Sequence, residues 1–396
     1  MPWAPPFTVP SVMQPEPRAS GTLGGRLVLD DRVAAGRLLV DDGAIVGVEL
    51  DDSEESGPLL MPGFVDVHVH GWGGHDATGS PQALDGMARA LLRHGVTSFL
   101  PTAATASLDD LTAFAATVRG WLPAATPDGA QPLGFNLEGP FLSEDKRGMH
   151  DPSLLLEPAS VDRELLEPLI EALRIITIAP EIPGALELIA WLRQRGVAVS
   201  AGHSAADLEA AQAGYSAGAV TTTHLFNAMS GIDHHAPGLA VAALADDNVY
   251  VELIADGHHV HPSIWPIITR TKPADRLLLV SDAIAFAGTN VRRGRIGWTE
   301  VQIEGDRCFR PETGTLAGSV IALDTAVRNL VRSGVPPHLT SAAATRNPLA
   351  LLGVTDRGRL APGQRADVVE LDDDLRVRRV MRAGEWLGRP ARETTA

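Results

Sequence analysis

Eight short apolar, β-branched runs recur between residues 60 and 290: Phe64–His70, Val96–Thr102, Leu133–Pro140, Ile175–Glu181, Val197–His203, Val220–Asn227, Tyr250–Asp256 and Leu277–Asp282. Helical periodicity lies between several of them, at Pro81–His94, Leu108–Trp121, Ala185–Arg195 and Ala205–Ala217. Alternating strand and helix units imply a parallel sheet, and eight of them imply a TIM-like (β/α)8 barrel. A doubly wound sheet is the structural alternative. It has fewer strands and a Gly-rich phosphate turn after the first, which Gly71-Trp72-Gly73-Gly74 does not match. The flanks read differently. Gly24–Leu50 and Arg359–Leu387 are short strands broken by turn signals at Asp41-Asp42-Gly43, Pro362-Gly363 and Asp372-Asp373-Asp374. The expected organisation is a disordered lead over residues 1–20, a small β-sandwich from 21–60 and 358–396, and a barrel over 61–357.

Composition narrows the partners. A hydrophobic content of 44% in 396 residues supports a large core, and no run of eighteen apolar residues is present to span a membrane. A formal net charge of −16 argues against nucleic acid or an anionic membrane as partner. The proline-rich start lacks the pattern of a secretory signal, and Cys308 is the single cysteine, so a reducing cytoplasm is the expected location. Lys146 and Lys272 are the only lysines.

The first run carries His68 and His70, two residues apart. Side chains at i and i+2 of a strand share a face, so the two imidazoles can hold one divalent cation. Catalytic groups of such barrels sit at the C-terminal strand ends. Glu138, His203, His224 and Asp282 occupy those ends on the third, fifth, sixth and eighth runs, and Asp256, His258 and His259 follow the seventh. Taken singly, Glu138 could be a helix cap, His203 or His224 a satisfied core histidine, and Asp282 an N-cap. Six such residues at one end of the barrel argue for a metal site. Histidines and carboxylates without thiolates favour Zn²⁺ or another borderline divalent ion, which lowers the pKa of bound water to about 7. A carboxylate beside it can take the water's proton and deliver it to a leaving nitrogen. Hydrolysis of an amide or related C–N bond is the chemistry this equipment fits.

The pattern resembles the amidohydrolase superfamily: His68-x-His70, His203, His224, Asp282 and Pro362-Gly363-Gln364-Arg365-Ala366-Asp367. Many members carry a carboxylated lysine at strand four, but here that strand ends Ala179-Pro180-Glu181. Leu137-Glu138-Gly139-Pro140-Phe141 instead resembles the N-acetylglucosamine-6-phosphate deacetylases. So do Gly148-Met149-His150, Ala201-Gly202-His203-Ser204, His224-Leu225-Phe226-Asn227-Ala228-Met229, Asp256-Gly257-His258-His259-Val260, Ser281-Asp282-Ala283 and Leu316-Ala317-Gly318-Ser319.

The resemblance implies that Glu138, His203 and His224 hold a principal metal and that His68 and His70 hold a second, bridged by Glu138. That gives one or two ions per subunit, zinc foremost. It makes Asp282 the general acid/base at the metal, and His150 the group that orients the acetyl carbonyl or a sugar hydroxyl. Asn227, the backbone at Ala228, and His259 would meet the phosphate of a small phosphorylated amino sugar, and Leu316–Ser319 would close over the acetyl group. A homodimer is implied as well. One position departs from the family: an expected phosphate-binding Arg, often reaching across a dimer interface, is His235 here. Histidine lacks the bidentate fork of arginine. Arg292, Arg293 and Arg295 are alternative cations. Other substrates therefore stay open: N-acetylgalactosamine 6-phosphate, an unphosphorylated N-acetyl sugar or an N-acyl amino acid.

Overall fold

The computed structural model describes residues 20–51, 57–297 and 299–387. The expected lead lies outside the described residues apart from Ser20. Eight parallel strands run in sequence order around a nearly closed barrel: Phe64–Val69, Val96–Ala104, Phe135–Glu138, Leu173–Ile178, Ala198–Ala201, Ala219–Thr222, Tyr250–Ile254 and Leu277–Val280. They are named strands one to eight below. The seam between strands eight and one is closed just past the end of strand eight, where Asp282 N–H donates to His68 O at 2.9 Å. Ser281 N–H also donates to Asp66 Oδ1 at 3.3 Å. The barrel reading of the sequence is borne out.

The helices form where local signals agree with an apolar face. Ser107 caps the helix Leu108–Trp121, its hydroxyl accepting from Asp110 N–H at 3.1 Å. Leu111, Phe114, Ala115 and Val118 then fall at helical spacing and are buried. The fourth predicted helix starts later than expected, at Leu208, because the Asp207 carboxylate caps it by accepting from Ala210 N–H. The sixth predicted strand stops earlier, at Thr222, because His224, Phe226 and Ala228 all have positive φ and leave the ladder.

The two termini build a seven-stranded sheet in which Leu59–Pro62 lies between Gly21–Val28 and Val368–Leu371. It folds over an apolar interior that includes Leu27, Leu38, Ile45, Leu60 and Val368. The two faces meet where Ala366 N–H donates to Gly43 O at 2.8 Å. Hydrogen bonding joins the two terminal segments into one sheet curled on itself. One element has no counterpart in the sequence reading. A three-stranded antiparallel sheet, Arg293–Ile296, Thr299–Glu304 and Arg307–Phe309, follows strand eight. Its buried Val301, Ile303 and Cys308 pack with Ile284 and Ala317, against which Met149 also lies, so it sits over the mouth of the barrel.

Candidate metal centre and active site

The C-terminal strand ends bring His68, His70, Glu138, His203, His224 and Asp282 into one buried cluster. His203, His224 and Asp282 have φ of 46°, 28° and 49°, a left-handed conformation uncommon for such residues. It turns each side chain from the strand end into the barrel mouth. Around Glu138 Oε1 lie His224 Nε2 at 2.8 Å and His203 Nε2 at 3.0 Å, the two nitrogens 3.1 Å apart. On the other side His70 Nε2 is 3.2 Å from both Glu138 Oε2 and Asp282 Oδ1, and 3.3 Å from His68 Nε2. Metal–nitrogen bonds of about 2.0–2.1 Å at tetrahedral angles place donors roughly 3.3 Å apart. The half around His70 matches that spacing closely and the His203–His224 half is tighter, at 2.8–3.1 Å, with Glu138 common to the two.

The outward ring nitrogens explain why the Nε2 atoms aim inward. His68 Nδ1 lies 3.0 Å from Glu252 Oε2, His70 Nδ1 3.2 Å from Thr102 O, and His203 Nδ1 2.8 Å from Lys146 O. Acceptors there hold a proton on each Nδ1 and leave Nε2 to face the cluster. His150 is arranged the opposite way. Its Nδ1 accepts from Thr105 N–H at 3.3 Å, so its Nε2 carries the proton, 3.4 Å from Glu138 Oε2. Although His150 lies close enough to Glu138 and His203 to complete a donor triad, this tautomer makes it a hydrogen-bond donor rather than a ligand.

Burial opposes charge throughout the cluster, and pairing outweighs it except at His203. Glu138 is held well below the usual carboxylate range, because the His68 charge and hydrogen bonds from His150 and His224 outweigh burial. Burial lowers His203 to about 4, so it is neutral. His70 rises to about 9 against burial, through hydrogen bonds to Asp282 and Glu138. Without a cation, protons on His68 and His70 stand where positive charge is demanded.

Above the cluster opens a cavity of about 390 Å³ lined by His70, Glu138, His150, His203, His224 and Asp282. Asn227, Ala228 and His259 form another part of its wall, and Ile296, Leu316 and Gly318 roof it. His259 is fixed by Asp256, whose Oδ2 is 2.6 Å from His259 Nδ1. Two sets of expected residues lie outside this cavity. His235 is exposed, its N–H bonded to Asp233 Oδ1, and it does not line the cavity of its own subunit. The reason is that the segment 231–236 loops outward before Gly238 begins the next helix. Arg292, Arg293 and Arg295 lie on or beside the inserted sheet and do not line the cavity either.

Three residues that sequence reasoning passed over matter to the site. Among the described residues Lys146 is the one lysine or arginine in the cavity lining. Glu252, fully buried on strand seven, holds His68, and Thr102 holds His70. The Glu252 signal was present: a carboxylate inside the apolar run Tyr250–Ile254.

The amidohydrolase family pattern matches residues 59–387. The chain belongs to the amidohydrolase family. It is 38% identical to the N-acetylgalactosamine-6-phosphate deacetylase of Escherichia coli O157:H7, over 90% of this chain and 95% of that one. It is 36% identical to the human N-acetylglucosamine-6-phosphate deacetylase, over 93% and 95%. Among solved structures, the N-acetylglucosamine-6-phosphate deacetylase of Thermotoga maritima superposes with a TM-score of 0.87 at 31% identity, covering 93% of this chain and all of that one. A variant of the Mycobacterium smegmatis enzyme in complex with N-acetyl-D-glucosamine-6-phosphate gives 0.85 at 34% identity, covering 93% and 99%. Amidohydrolases of this family are metal-dependent, and the six converging donors fit a divalent cation.

Proposed function

We propose that this amidohydrolase deacetylates N-acetylglucosamine 6-phosphate, yielding glucosamine 6-phosphate and acetate. The observation that carries the reading is the Glu138-centred cluster, with His150 presenting a proton beside it, at the floor of a cavity of sugar-phosphate size. The relatives named for this activity, aligned over more than nine-tenths of the chain, support the substrate.

Glu138, His203 and His224 would hold the principal ion, and His68 and His70 a second, with zinc the best match to the donor set. Such an ion supplies a lowered pKa for water and a polarised carbonyl. Asp282 takes the proton of the attacking water and returns it to the departing sugar nitrogen, so that one carboxylate serves both steps. His150 Nε2–H donates to the acetyl oxygen as negative charge builds there. Asn227, Ala228 and His259 face the sugar's phosphorylated end, and Lys146 supplies the fixed positive charge that His235 does not bring to its own cavity. Leu316 covers the acetyl methyl. We assign the enzyme to the cytoplasm and to a homodimer, in which the loop bearing His235 would lie at the interface.

A second reading keeps the chemistry and changes the sugar. N-acetylgalactosamine 6-phosphate is favoured by the 38% identical E. coli relative. The test is acetate release by zinc-reconstituted protein from the two 6-phosphates and from unphosphorylated N-acetylglucosamine, ranked by kcat/KM. Preference for the gluco phosphate is expected. A galacto preference installs the second reading, and equal rates with the unphosphorylated sugar refute both.

A further inference from the structure

Glu252 lies midway along strand seven, with no exposed surface. Its Oε2 accepts two hydrogen bonds, from His68 Nδ1–H at 3.0 Å and from the His224 backbone N–H at 3.2 Å. Its Oε1 is buried without a hydrogen-bond partner. Among the described residues no lysine or arginine pairs with it, and its one charged partner is His68. A buried, under-satisfied carboxylate is expensive unless positive charge faces it. Here the charge can only arrive through the imidazole of His68, whose far nitrogen points at Glu138, His70 and Asp282. The other two oriented histidines differ in this respect, because His70 and His203 each donate to a neutral backbone carbonyl.

We propose that Glu252 is a positioning residue that makes the His68–His70 half of the cluster a metal position in its own right. The carboxylate fixes the ring of His68 and raises the basicity of the nitrogen that faces the ion. Such outer partners are worth 10–100-fold in metal affinity. The same oxygen bonds the backbone of His224, which ties the second half of the cluster to the first. This inference rests on the metal-centre reading above and adds that a carboxylate four residues before Asp256 governs occupancy of the second position.

The test is zinc titration of the metal-stripped full-length protein, with bound zinc per chain counted by elemental analysis, for wild type, Glu252→Gln, His68→Gln and the double variant. Glutamine preserves size and hydrogen bonding but removes the charge. The expected result is two zinc ions in wild type, with the weaker site of Glu252→Gln loosened at least tenfold and the tighter one unmoved. The double variant should bind no worse than His68→Gln alone, because the two residues act through one ring. Unchanged affinity at the weaker site, equal loss at both sites, or additive losses in the double variant each overturn the proposal. If Glu252→Gln does not fold, the role is structural and the proposal falls. A single zinc in wild type overturns it while leaving a mononuclear deacetylase intact, whereas no zinc at all removes the metal-centre reading itself.

Discussion

Replacing Asp282 with asparagine separates proton transfer from architecture. The residue sits at φ 49°, and its N–H closes the barrel seam by donating to His68 O at 2.9 Å. Asparagine tolerates the left-handed region about as well as aspartate and keeps the side-chain volume. The fold should therefore hold, with thermal stability near wild type. The lost quantity is the proton acceptor. Asp282 Oδ1 stands 3.2 Å from His70 Nε2, and its carboxylate stays ionised because the His70 hydrogen bond and the His68 charge outweigh burial. General acid–base catalysis contributes about 10²–10⁴-fold. Because one carboxylate takes the water's proton and later delivers it to nitrogen, the loss should lie toward the upper end. That is roughly 4–5 kcal/mol of transition-state stabilisation at about 1.4 kcal/mol per decade. The assay is kcat/KM for acetate release, run beside zinc content per chain. Glu138, His203 and His224 do not depend on Asp282, so at least one zinc should remain while turnover falls by three decades or more. Activity within tenfold of wild type would refute the assigned role. Inactivity accompanied by complete metal loss would show that Asp282 acts as a ligand first.

Three further outcomes are expected. Lys146→Ala should raise KM for the 6-phosphate by tenfold or more and leave the unphosphorylated sugar's kcat/KM nearly unchanged, as initial rates on both would show. Metal affinity should climb between pH 6.5 and 9 by up to about tenfold per unit, because the ion displaces a proton from His70, raised to about 9 by Asp282 and Glu138 against burial. The same proton stabilises the metal-free fold fully below pH 6.5, and that stability is lost as pH rises through 9, so the melting-temperature gain on adding zinc should widen over this interval. Gly202→Ala should destabilise the barrel by about 1–3 kcal/mol, since a methyl there would lie 2.6 Å from Thr223 Cβ, and a calorimetric Tm within a degree of wild type would contradict the packing.

Much of the site was legible because the constraint is one of topology. In a parallel barrel every strand ends at the same face, so a polar residue closing an apolar run can be placed without knowing the packing. His68, His70, Glu138, His203, His224 and Asp282 could all be read that way. What escaped had no such marker. Lys146 lies in a loop between strands three and four, and its reach into the cavity depends on how Gly148 and the 3-10 turns fold that loop. The inserted sheet follows strand eight with no counterpart in the sequence reading, and its apolar side is covered only because Met149 and Ile284 happen to meet it. Glu252 did carry a mark, as a carboxylate inside an apolar run, but nothing in a strand's alternation says which face turns inward.

His235 shows where sequence alignment and single-chain geometry part. Matched by position, it stands where a phosphate-binding arginine is expected; in space it is exposed, its ring tilted against that of His234 with centroids 3.9 Å apart, on a loop directed away from its own cavity. Within one subunit the cavity lining carries Lys146 beside the carboxylate Asp145, with His259 fixed by Asp256. Phosphate recognition should then depend on ionic strength through the local Lys146 charge, while the global charge repels anions from the rest of the surface.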